Sequence, residues 1–252
     1  MKLATTVLGA LSLFGYVHAH AVVYGIWVNG QDQGDGQGKY IRSPPSNDPV
    51  KDLSSPAIAC NVNGNPVSEF AKAAAGDEIM VEWYHNSRGD DIIASSHKGP
   101  IQAFIAPYTD GNGASATWTK IASQGYDSSR DKWAVDDLIA NGGKLPFNLP
   151  SNLAPGKYLL RHEIIGLHEA DATYDVNPIR GAQFYPSCIQ LEVTGGGSES
   201  PGQNFGFNQG YSYSDPGIHF NLYQCPNEGP EGGFSYGCFG EYTAPGPEVW
   251  GA

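Results

Sequence analysis

Positive charge is scarce in this chain of 252 residues: 14 lysines and arginines stand against 26 aspartates and glutamates, a formal net charge of −12. No basic run is present, which argues against binding to a phosphate backbone and excludes nucleic acid as the expected partner. Long hydrophobic runs are also missing. The apolar stretch from Leu3 to about Phe14 falls short of the ~20 residues that a membrane helix needs, and no later run approaches that length. No Cys-x-x-Cys occurs, which weakens a thiolate metal site, and no Asn-x-Ser/Thr sequon occurs, so N-glycosylation is not expected. No internal repeat stands out. The acidic balance suits a neutral ligand, although acidity by itself argues mainly for solubility.

What is present begins at the N-terminus. Met1-Lys2, the apolar stretch and Val17-His18-Ala19 form a secretory signal peptide over residues 1–19, with cleavage predicted after Ala19. The mature chain is then secreted and extracellular, not attached to a membrane, and begins at His20. A free α-amine titrates near ~7.7–8, so His20 offers two nitrogens, amine and ring, that can close a chelate on one metal ion near neutral pH. Nitrogen-rich, tetragonal coordination favours Cu(II). On this evidence alone, a histidine that happens to follow the cleavage site explains the position as well.

Four cysteines remain: Cys60, Cys188, Cys225 and Cys238. An even count in a secreted chain predicts two disulfides, with three connectivities open. Cys225 and Cys238 bracket a Gly/Pro-rich loop and make the local pair, which would leave Cys60 for Cys188 as a long-range staple. Between Gly, Pro, Asn and Asp turn signals lie strand candidates at Val22–Val28, Ile79–Tyr84, Ile101–Ala106, Lys157–Ile165, Cys188–Val193 and Ile218–Tyr223. One short helix is predicted over about Asp131–Asn141, acidic at its start and stopped by Gly142-Gly143. Pro66–Ala75 reads as a short helix or a loop. The pattern predicts an all-β protein, an immunoglobulin/fibronectin-like antiparallel β-sandwich with long loops and a short helix. Residues 20–252 read as one domain with a C-terminal extension from about residue 225, and no separate carbohydrate-binding module.

Residues 20–252 contain six histidines. His97 lies in the turn Ser95-Ser96-His97-Lys98-Gly99-Pro100 before a strand, and His168 lies in Gly166-Leu167-His168-Glu169-Ala170 just after one. Loop ends on a rigid sandwich are where function tends to sit. In Gln183-Phe184-Tyr185, alternation places Gln183 and Tyr185 on one face and Phe184 on the other. An amide and a phenol side by side could flank a metal, but on spacing alone a satisfied buried tyrosine with a neighbouring polar residue is the better account.

The combination is more specific. His20, Ser-His-Lys-Gly-Pro, Arg161-His162-Glu163-Ile164-Ile165-Gly166-Leu167-His168 and Gln183-Phe184-Tyr185-Pro186-Ser187-Cys188 occur in one order. In this the chain resembles the fungal lytic polysaccharide monooxygenases of auxiliary activity family nine, from His20 through Asp215-Pro216-Gly217 to Pro245-Gly246-Pro247. The resemblance implies that one copper ion per chain is held by the amine and ring of His20 and the ring of His97, with Tyr185 as an axial phenol. His168, Gln183 and Tyr185 would be the catalytic residues around the oxidant. The family's disulfide across the sandwich matches Cys60 to Cys188.

Further segments, among them Trp27-Val28-Asn29-Gly30, Ile41-Arg42-Ser43-Pro44-Pro45 and Trp83-Tyr84-His85-Asn86, resemble a subgroup active on soluble cello-oligosaccharides and hemicellulose as well as cellulose. There the substrate contacts fall at positions matching Asn47, His85, Asn86, Ser96, Glu169, Asp171, Arg180 and Tyr211. The activity implied is oxidative cleavage of β-1,4-glucans by hydroxylation at C4 or C1, using O2 or H2O2 and an external electron donor, by a monomeric enzyme. Two other classes compete. One is a glycosidase using carboxylates such as Glu169 and Asp171, with Glu163 nearby. The other is a non-catalytic copper-binding or carbohydrate-binding sandwich.

Overall fold

The computed structural model describes residues 20–224 and 242–250. The predicted signal peptide, the Cys225–Cys238 pair and most of the predicted C-terminal extension lie outside the described residues.

The strands are β1 (Val22–Val28), β2 (Gln31–Asp32), β3 (Ile41–Arg42), β4 (Ala71–Ala73), β5 (Glu78–Tyr84), β6 (Ile101–Pro107), β7 (Thr119–Gln124), β8 (Tyr126–Asp127), β9 (Lys132–Trp133), β10 (Lys144–Asn148), β11 (Gly156–Gly166) and β12 (Gln183–Val193). The helices are short: α1 (Ala57–Cys60), α2 (Ala134–Ala140) and α3 (Phe207–Gly210). One sheet has the order β10-β5-β1-β2; the other has β3-β12-β11-β6-β7, with β4 added parallel to β12. β8 and β9 form a separate hairpin. The predicted sandwich is therefore the observed architecture.

Two layers of apolar side chains hold it together. Val23, Ile26, Val81 and Trp83 of the first sheet meet Ile105, Leu160, Ile164 and Ile189 of the second between the sheets. The outer face of the second sheet is buried as well. Phe104, Leu159, Ile165 and Phe184 pack there under Ile58, Phe207, Tyr211, Ile218 and Leu222, supplied by α1 and the wrapped segment after residue 204. A strand covered on both faces loses the apolar-polar alternation of a half-exposed one. β11 is the clearest case: every residue from Tyr158 to Gly166 is buried. Its polar members are paired in place. Arg161 and Glu163 form a fully buried ion pair at 2.7 Å, and His162 accepts the Trp83 indole N–H through Nδ1 at 3.1 Å.

The Cys60–Cys188 disulfide is present. It ties α1 to β12 within the outer layer of the second sheet, and so does not span the two sheets as the resemblance implied. Two element boundaries also differ from expectation. The helix expected from Asp131 starts at Ala134, because Asp131 takes a left-handed φ of 53° and Lys132–Trp133 pair with Tyr126–Asp127. The strand expected at Ile218–Tyr223 is a succession of turns, opened by the Asp215 carboxylate accepting the Gly217 N–H at 2.8 Å. Its apolar residues Ile218 and Leu222, four apart, both face the outer layer. The ambiguous stretch Pro66–Ala75 contains β4.

Candidate metal centre and substrate face

Four stretches of chain deliver the site: the residues before β1, the turn before β6, the loop after β11 and the start of β12. Antiparallel pairing of β1 with β5 sets Val22 opposite Tyr84, and just beyond that pair the His85 Nδ1–H donates to the His20 carbonyl at 2.9 Å. The register of β11 with β12 sets Gly166 opposite Gln183 and Ile164 opposite Tyr185. The loop that starts at Leu167 therefore brings His168 and Glu169 beside Gln183. Tyr185 belongs to the layer between the sheets and Phe184 to the outer layer, as the alternation predicted.

His97 is held from both sides. Its backbone N–H closes a turn on the Ala94 carbonyl at 3.0 Å, and Lys98 forms an ion pair with Asp136 of α2. Gly99 lies so close to β11 that a Cβ there would fall 1.8 Å from the Ile165 carbonyl oxygen. Only glycine permits this approach, which presses the His97 turn onto the sheet.

The rings converge. His20 and His97 lie 6.3 Å apart between ring centres, His20 and Tyr185 5.9 Å, and His97 and Tyr185 6.0 Å. His168 packs against His97 at 3.9 Å. The Tyr185 hydroxyl donates to Gln183 Oε1 at 2.6 Å, and Gln183 Nε2 donates to Glu169 Oε2 at 2.9 Å. His97 is 2% exposed, and its Nε2 is buried without a hydrogen-bond partner, as is His168 Nδ1. Such orphaned nitrogens are uncommon in native interiors and call for an explanation.

Electrostatics keep these rings neutral. Burial, reinforced by His168 and His20, pushes the His97 pKa down to about 3. Burial lowers that of His168 against the opposing Glu169, and lowers that of His20 against Asp48, whose carboxylate lies 3.6 Å from His20 Nδ1. Burial first, then Glu169 and Asp48, raises the Tyr185 phenol well above its ordinary value, so it stays protonated and donates. Neutral imidazoles with free lone pairs are what a borderline metal ion requires. Among the described residues no three His, Cys, Asp or Glu side chains form a metal cluster. Two rings completed by a backbone amine need no third side chain, and the buried, partnerless Nε2 of His97 fits that donor set.

Around this centre the residues expected to contact substrate separate into groups. Asn47, His85 and Asn86 line one open cleft of about 340 Å³, where the Asn47 amide donates to the His85 carbonyl at 3.1 Å and to Asn86 Oδ1 at 3.3 Å. Ser96 is exposed beside His97. Across the centre, Asp171 accepts from Arg180 Nε at 3.0 Å on a surface loop, and Glu169 is half-buried next to Gln183. Tyr211 does not belong to this set. It is 4% exposed in the outer layer, with its hydroxyl donated to the buried Glu163 carboxylate, so no sugar can reach it. Tyr223, which the sequence reading passed over, is 44% exposed and within the electrostatic reach of Arg180, Asp171 and Glu169. It lies at the end of the segment expected as a strand, and the turns found there leave its ring exposed.

The carboxylates of the glycosidase alternative are all engaged: Glu163 with Arg161, Glu169 with Gln183 and Asp171 with Arg180.

Known proteins share the sequence and the fold. Auxiliary Activity family 9 (formerly GH61) matches residues 20–231. The AA9 family lytic polysaccharide monooxygenase A of Collariella virescens is 54% identical over 238 residues, covering 93% of this chain and 82% of that protein. Its namesake from Schizophyllum commune is 50% identical over 251 residues, covering 96% of each. Among solved structures, CvAA9A superposes with a TM-score of 0.84 at 54% identity, covering 92% of this chain and 98% of that one. Cel61B from Hypocrea jecorina, a glycoside hydrolase family 61 member, gives 0.75 at 27% identity, covering 92% and 100%. The chain belongs to Auxiliary Activity family 9 and is a lytic polysaccharide monooxygenase.

Proposed function

We propose that the protein cleaves β-1,4-glucans oxidatively, with the amine and ring of His20 and the Nε2 of His97 as the groups that would hold one copper ion and the Tyr185 phenol beside them. The observation that carries this reading is the buried, neutral His97 ring, whose Nε2 makes no close hydrogen bond, 6.3 Å between centres from the His20 ring. Copper bound there would supply a one-electron couple, fed by an external donor, for oxidation of a glucan at C4 or C1 by O2 or H2O2. The remaining chemistry belongs to the chain. Tyr185, its proton committed to Gln183 Oε1, keeps its oxygen lone pairs free for the metal side. Gln183 commits one amide N–H to Glu169 and acts on the His97 ring through the same side chain, and His168 borders the same side with a buried ring nitrogen that makes no hydrogen bond. Both act as hydrogen-bonding groups that orient what binds, a role that outer partners of a metal site serve.

The substrate lies across the centre in this reading. Asn47, His85, Asn86 and Ser96 take sugar hydroxyls on one side; Glu169, Asp171 and Arg180 do so on the other, where Tyr223 offers a ring face. Polar groups on both flanks suit soluble cello-oligosaccharides and hemicelluloses such as xyloglucan in addition to cellulose, and the resemblance to the oligosaccharide-active subgroup favours hydroxylation at C4. The enzyme acts as a secreted monomer once residues 1–19 are removed. The test is incubation of the processed protein with copper, ascorbate and cellohexaose, followed by mass spectrometry. Oxidised fragments are expected; purely hydrolytic products, or cleavage undiminished in His97→Ala, would sink the reading.

A further inference from the structure

We infer that Lys51 is a positioning residue for Gln183, acting through the Glu169 carboxylate, an inference that rests on the copper reading given above. The two ends of a glutamine amide are nearly alike in shape, so its orientation is set by its partners. The Glu169 carboxylate accepts the Gln183 Nε2–H, and this leaves Oε1 for the Tyr185 hydroxyl. With Glu169 turned away, the amide is free to rotate and present Nε2 to Tyr185. The phenol oxygen would then accept a hydrogen bond, and a lone pair would be drawn from the metal side.

Glu169 is half-buried, with 30% of its side chain exposed toward water. Lys51 Nζ stands 3.8 Å from the same Oε2 that receives the Gln183 amide. The lysine is itself fixed at three points. Its neighbour Val50 exchanges two backbone hydrogen bonds with Phe184, at 2.8 and 2.9 Å, between Gln183 and Tyr185. Its carbonyl accepts the Tyr213 hydroxyl at 3.2 Å. Its ammonium donates to the Ile179 carbonyl at 3.0 Å, and only 19% of its side chain is exposed. A partly buried ion pair of this kind is screened less than one in open solvent. Arg180, the other cation on this flank, is occupied by Asp171. Lys51 therefore joins the loop carrying Asp171 and Arg180 to the amide beside the metal centre.

The test uses the processed, copper-loaded protein and the variants Lys51→Met and Lys51→Arg. Outer-shell substitutions at metal sites lower activity by 10–100-fold, and Lys51 is one contact further out, so Lys51→Met is expected to lose about three- to ten-fold in kcat on cellohexaose. The Cu(II) electron paramagnetic resonance spectrum should shift with it, and Lys51→Arg should restore both. A lysine that only supports the fold would lower Tm and leave the spectrum alone. That result, or equal losses in Met and Arg, overturns the inference. Should Lys51→Met fail to fold, Lys51→Gln keeps a donor for Ile179 without the charge, and the same readings apply. Wild-type protein lacking a Cu(II) signal would remove the functional reading and this inference together; a normal wild type with an unmoved Lys51→Met spectrum removes only the role of Lys51.

Discussion

His97 and Tyr211 are both buried and both polar, yet the interior treats them in opposite ways. The Tyr211 hydroxyl is fully used: it donates to Glu163 and receives the Gln102 amide at 3.1 Å. The His97 Nε2 has nothing. The two arrangements yield different measurable outcomes. Tyr211→Phe removes a buried hydrogen bond to a charged acceptor, expected to cost about 1.5–3 kcal/mol of stability with no change in the KM for cellohexaose. Tyr223→Ala should do the reverse, raising KM several-fold at unchanged Tm; thermal melts and steady-state kinetics on the two variants would expose an interchange of roles. For the metal, His97→Ala should weaken Cu(II) binding by at least the ~10–100-fold typical of lost outer partners, because here a donor atom itself disappears. An extra residue ahead of His20 should weaken it comparably by converting the amine to an amide. Calorimetric titration showing wild-type affinity in either would contradict the chelate. At this scale the sequence showed residue types and order but not burial, which is why the buried Tyr211 read as a substrate contact.

At the scale of elements, the site depends on how closely the His97 turn approaches β11. Gly99→Ala forces a Cβ into the Ile165 carbonyl, which belongs to a strand buried on both faces and has no room to retreat. Overpacking of this kind costs about 1–3 kcal/mol, and the relief available is to lift the turn, which moves His97. Gly99→Ala should therefore lower Tm and copper affinity together; a stability loss with intact affinity would show that the turn yields elsewhere. The strands that frame the site were the legible part. β1, β5, β6 and β11 were placed within a residue of their ends, because turn residues bracket them. What failed was periodicity under double burial. β12 starts five residues before the predicted Cys188, since Gln183 to Ser187 show no alternation once both faces are covered. In Ile218–Tyr223 the apolar spacing belongs to packed turns, and a run of six residues holds too little to tell the two apart.

Over the whole molecule, buried neutral histidines link folding to pH. His162 is enclosed between Trp83 and Phe147 and must keep its Nδ1 lone pair to accept the indole N–H. Burial, assisted by Arg161, pushes its pKa down to about 3, and His97 is likewise lowered to about 3. In the unfolded chain both rings take up a proton near the ordinary value of 6.5. Between about pH 6.5 and 3 the unfolded state thus binds more protons than the native state, so stability is intact above that window and lost as pH falls through it. Each ring contributes a slope of up to about 1.4 kcal/mol per pH unit. Metal-free protein is the proper sample, because copper on His97 would add its own proton linkage. Its Tm should fall steadily on acidification from pH 6.5 toward 3, and Asp127, held down to about 2 by Ser129 and Arg130, adds a loss of the same sign at the acid end. Adding copper at pH 6.5 should raise Tm, and that gain should shrink toward pH 4 as protons compete for the same nitrogens. A Tm that is flat across this range in the metal-free protein would mean that the two rings ionise in place, and that the interior around His162 admits water.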